Sequence, residues 1–134
     1  MPAIGSILAL REQGAEGKLK IFRRDQDFQV ATNFYLPKPS LGWYPCKRYV
    51  KVTEALTGLM EPSVDAIRSN LASVAGKGTY GGEEAGTLYS NVYDLRKREV
   101  IVYYKQAFDS PLKIRLAEEL NKGAHTIELQ KAGR

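Results

Sequence analysis

The sequence holds one cysteine, one histidine and one tryptophan among 134 residues. A single cysteine excludes an internal disulfide and any cysteine-based metal cage. The lone histidine, His125, leaves no nitrogen-rich ligand set, so it reads as a solvated residue and no metal is expected. Long hydrophobic runs are also missing. None approaches the roughly 20 residues that span a bilayer. The opening MPAIGSILALREQ has neither the basic leader nor the cleavage site of a secretory signal. The expectation is therefore a cytoplasmic chain without a membrane segment. A phosphate-binding loop is lacking too: Gly76, Gly78, Gly81, Gly82 and Gly86 are irregularly spaced and no Lys-Ser/Thr pair follows them.

What is present fits a soluble domain. The chain is 43% hydrophobic and 26% charged, which is ordinary for a globular protein. Its length suits one domain over residues 1–134, able to bury about two thirds of its unfolded surface. The net charge of +5 and pI near 9.3 invite a nucleic-acid reading. The basic residues are dispersed, however, as Arg23-Arg24, Lys47-Arg48 and Arg96-Lys97-Arg98, each at a turn or strand end. No nucleic-acid-binding signature accompanies them, so they read as a solvated basic surface.

Hydrophobic spacing divides the chain into three parts. Ile4 to Leu10 and Lys18 to Phe22 read as strands around a turn at Gln13 to Gly17. Phe28 to Phe34 reads as a third strand, stopped by Pro37 and Pro39. From Arg48 the period changes, and Tyr49, Val52, Leu56 and Leu59 form one helical face that Gly58 and Pro62 terminate. Ser63 is a candidate N-cap for a second helix with a Val64, Ile67, Leu71 and Val74 stripe. The glycine-rich stretch 76–86 reads as a flexible loop. Thr87 to Leu95, Glu99 to Phe108 and Leu112 to Leu116 then read as strands, with a short helical turn over Ala117 to Lys122. The order is β-β-β-α-α-β-β-β, an α+β class with a helical layer on antiparallel sheets.

Three stretches resemble one family. Phe28-Gln29-Val30-Ala31-Thr32-Asn33-Phe34 is similar to a strand end, and Lys47-Arg48-Tyr49-Val50-Lys51-Val52 to a helix start. Thr87 to Leu95, with Val102-Tyr103-Tyr104 and the tail Lys122-Gly123-Ala124-His125, is similar to the end strands. Together they resemble the C-terminal half of the choloylglycine hydrolase and penicillin acyltransferase-like group. These are N-terminal-nucleophile hydrolases that cut linear amide C–N bonds. The resemblance implies part of a four-layer αββα sandwich and chemistry that uses no cofactor. In that family an N-terminal nucleophile attacks the amide carbonyl, with its own α-amino group as base. The resemblance makes Asn33 an oxyanion donor, a role that suits a neutral, directional side-chain N–H. It makes Arg48 the active-site arginine beside the nucleophile, where its charge persists on partial burial. Without the family, Asn33 is a turn former and Arg48 a surface charge that opposes the helix dipole.

The nucleophile itself is not where the family needs it. Met1 is followed by Pro2, and Ser6 and Cys46 are internal. The expectation is a chain inactive without a companion polypeptide bearing the N-terminal half, or one that self-associates through uncovered sheet surface. Two other functions compete. Pro2 could serve as the N-terminal base of a tautomerase, although the rest of the chain does not look like one. A non-catalytic binding or assembly module on the same half-fold would use its basic surface for an anionic partner.

Overall fold

The computed structural model describes residues 7–11, 19–23, 27–32 and 46–129. They divide into two units, Met1–Leu59 and Met60–Arg134. Both combine helices with antiparallel strands, the α+β class that the spacing predicts.

In the first unit, β1 (Ile7–Arg11) pairs antiparallel with β2 (Leu19–Arg23), in register from Ile7 opposite Arg23 to Arg11 opposite Leu19. The predicted third strand does not form over its described part. Phe28 to Thr32 is neither helix nor strand, and Asn33 and Phe34 lie outside the described residues. Aromatic and β-branched composition favours extended backbone, but only pairing makes a strand. Helix α1 (Lys47–Thr57) then begins, its first turn closed by the Val50 amide donating to the Cys46 carbonyl at 3.0 Å. Tyr49, Val52, Leu56 and Leu59 are all half-buried, as their spacing requires, and the helix stops at Gly58.

The second unit is built on a three-stranded sheet. Strands β5 (Tyr89–Asp94), β6 (Glu99–Tyr104) and β7 (Leu112–Arg115) lie in that order, each pair antiparallel. The pleat sends Val92, Ile101 and Tyr103 to one face, where they are the buried apolar residues of this unit. Helix α2 (Val64–Val74) covers that face with Val64, Ile67 and Leu71, and Phe108 packs beside Tyr103 at a ring separation of 5.2 Å. Ser63 caps α2, its hydroxyl oxygen accepting from the Ala66 amide at 3.1 Å. The opposite face carries Tyr89, Tyr93, Val100, Val102, Leu112 and Ile114 by the same alternation. Tyr89 and Tyr93 there are 58% and 63% exposed.

The glycine-rich stretch is ordered, contrary to its reading as a loop. It folds into a hairpin of β3 (Lys77–Tyr80) and β4 (Glu83–Gly86). Gly81 and Gly82 form its two-residue turn with φ of 60° and 85°. Two positive φ values in sequence define the turn that matches strand twist, and Gly-Gly meets that demand at little steric cost. A short helix, α3 (Leu116–Glu119), follows β7 directly.

Candidate functional site

Of the two residues that the resemblance assigns to a site, Arg48 is described and Asn33 is not. Arg48 is the second residue of α1 and is exposed. The first turn of α1 holds Lys47 and Arg48 and no acidic side chain. Two cations at the positive end of a helix dipole repel it. The same arrangement favours any anionic group brought to that end.

Cys46 stands immediately before α1. It is half-buried at the N-cap position. The Thr32 hydroxyl donates to its sulfur at 3.4 Å. That hydrogen bond, then the Tyr49 amide, hold the thiol below its ordinary pKa, with the amide and charge of Arg48 adding less and partial burial opposing them. Each of these donors stabilises the thiolate more than the thiol. The spacing of apolar residues gave no sign of this. The available signal was positional: Cys46 lies three residues before the Tyr49, Val52, Leu56 and Leu59 stripe, where the helix start and its N-cap fall.

The Thr32–Cys46 bond ties the first motif stretch to the residue just before the second. Thr32 directly precedes Asn33, and Cys46 stands two residues before Arg48. The segment between them, including Trp43, lies outside the described residues. A shallow depression of about 300 Å3 runs along α1 between Lys47, Val50, Lys51 and Glu54. At 100° per residue these four share one stripe and Arg48 sits about a quarter turn round the helix, so the depression and the arginine are separate features. Tyr103, in the second unit, is a core residue, and its burial pushes the phenol pKa up.

Among the described residues no group of three or more His, Cys, Asp and Glu side chains could hold a metal. No helix among them is long and apolar enough to cross a membrane. No protein-family model, curated protein or solved structure matches the chain.

The sulfur environment gives a direct test. Alkylation of Cys46 by iodoacetamide, followed against pH, is expected to show a midpoint below that of an unperturbed thiol. Thr32→Val removes the leading cause and should move the midpoint up. Arg48→Gln should move it up by less. An unchanged midpoint in Thr32→Val would mean that the hydroxyl does not reach the sulfur in solution.

Proposed function

We propose that this chain is the C-terminal portion of an amide C–N hydrolase or acyltransferase of the N-terminal-nucleophile kind, completed by a companion polypeptide. The observation that carries the reading is the Thr32–Cys46 hydrogen bond. It brings Thr32, the residue before Asn33 in sequence, beside Cys46, the residue before the helix that bears Arg48, which is compatible with a shared pocket wall. In this reading Asn33 donates to the oxyanion of the tetrahedral intermediate. Arg48 lies beside the incoming nucleophile, where its fixed charge favours anionic groups. The companion supplies the nucleophile and its α-amino base. The reading also accounts for apolar side chains on the sheet face away from α2, where Tyr89 and Tyr93 are more than half exposed, since an αββα sandwich packs a second sheet against the first.

The test is the native mass of the protein taken from its own cells without denaturant. The expected result is a complex with a second polypeptide that begins with Cys, Ser or Thr and that releases amine from a linear amide. In that complex Asn33→Ala should lower kcat by about 10²–10³-fold, the usual loss for one oxyanion donor. A chain found alone, or only with copies of itself, would sink the reading.

A further inference from the structure

The unit formed by residues 60–134 holds its one histidine in a geometry that only one protonation state satisfies. His125 Nδ1 lies 2.9 Å from the Gly123 carbonyl oxygen, and Nε2 lies 2.5 Å from Glu119 Oε2 at the end of α3. A carbonyl and a carboxylate both accept, so both ring nitrogens must carry hydrogen. A neutral imidazole has one N–H. Whichever tautomer it adopts, the other nitrogen then turns a lone pair toward an oxygen at hydrogen-bonding distance, and one of the two bonds is lost. We propose that His125 is a pH-operated latch, tying the segment from Gly123 onward to α3 as the imidazolium and releasing it as the neutral ring.

The charges around the ring fit this role. The other oxygen of Glu119 accepts from Lys122 Nζ at 2.7 Å, so the carboxylate stays oriented and ionised while the ring comes and goes. Glu118 is engaged instead with Arg115, at 3.2 Å. The Gly123 carbonyl and then Glu119 raise the His125 pKa, against partial desolvation and the lesser repulsion of Lys122. A group whose folded pKa is raised contributes fully below its unfolded value and loses that contribution as pH climbs through the folded value. The latch is therefore closed in acid and opens with rising pH. It is independent of any hydrolase activity.

Because the chain has one histidine, its ring Cε1–H gives a single proton resonance for titration. The expected midpoint lies above 6.5, the ordinary value, and Glu119→Gln lowers it. Glu118→Gln, which leaves the ring's partners in place, moves it less. The backbone {1H}–15N NOE over 124–127 should fall modestly as pH crosses the midpoint, in line with the small worth of an exposed ion pair. The proposal is overturned by a midpoint at or below 6.5, by equal effects of the two glutamate substitutions, or by tail NOE values indifferent to the midpoint.

Discussion

Truncating Tyr103 to alanine is expected to cost about 3–5 kcal/mol, a large share of the roughly 4–11 kcal/mol that a unit of this length commands. Tyr103 and Ile101 are each 2% exposed and Val92 is 7% exposed, and these three side chains are the buried apolar centre on which α2 rests. Tyr103 is the largest of them. Its ring meets Phe108 on one side and lies in the cluster with Val64, Ile67 and Leu71 from α2. So small a centre has few neighbours able to close over a missing ring, and the cavity term adds to the lost transfer energy. Urea unfolding would read the effect as a fall in midpoint at constant slope. Two companions bracket it. Tyr103→Phe keeps the packing and should retain most of the stability, while Ile101→Val removes one methyl at about 1 kcal/mol. A Tyr103→Ala variant within about 1 kcal/mol of the parent would show that the seam between α2 and the sheet is not what holds this unit.

That seam is also where the sequence was most readable. Val64, Ile67, Leu71 and Val74 recur at the helical period, Ser63 stands one residue before them, and the structure uses both signals. The sheet beneath was nearly as plain, because Val92, Ile101 and Tyr103 sit within β-branched and aromatic runs. The run from Glu99 to Phe108 nevertheless ends early. Strand β6 stops at Tyr104 because Lys105 and Gln106 take φ of 44° and 65°. This left-handed turn is closed by the Ala107 amide donating to the Tyr104 carbonyl at 2.9 Å. Lysine and glutamine give no notice of positive φ, since their preference is for the right-handed region. The strain is offset by long-range hydrogen bonds: the Lys105 amide to the Leu88 carbonyl at 2.7 Å, and Gln106 Nε2 to the Gly76 carbonyl at 2.9 Å.

The hairpin of β3 and β4 was missed for the opposite reason. Strand reading rests on apolar alternation, and Lys77-Gly78-Thr79-Tyr80 and Glu83-Glu84-Ala85-Gly86 have almost none, since β3 is wholly exposed and β4 half-buries only Ala85. Turn chemistry at Gly81-Gly82 was the available clue. For the candidate site the balance is different. The resemblance nominated Asn33 and Arg48 by position, and periodicity supplied the helix that carries Arg48. Neither could reveal that Thr32 donates to Cys46, because that bond joins segments 14 residues apart through a stretch whose spacing has no period.

Replacing Gly86 by alanine should be the most damaging single-methyl addition in the hairpin. Gly86 has φ of 158°, at the edge of the region L side chains rarely adopt, and a Cβ there would run into the Gly76 carbonyl oxygen. That carbonyl accepts from the Thr87 amide at 3.0 Å and from Gln106 Nε2 at 2.9 Å, while the Gly76 amide donates to Thr87 Oγ1 at 2.9 Å. Gly76 is thus the post that fastens the hairpin to the β6 turn, and a methyl group at position 86 pushes on it directly. Displacing it sacrifices up to three hydrogen bonds at about 0.5–1.5 kcal/mol each and removes what offsets the strain at Gln106. The expected loss is about 2–3 kcal/mol, measurable as a lower urea midpoint. Gly78→Ala is the matched control. It lies in the same hairpin with nothing within 4 Å of the added carbon. It should be neutral or stabilising by up to about 1 kcal/mol, because alanine narrows the unfolded ensemble. Equal effects at the two positions would mean that the close approach at Gly76 does not fasten the hairpin, and that its order comes from the Gly81-Gly82 turn alone.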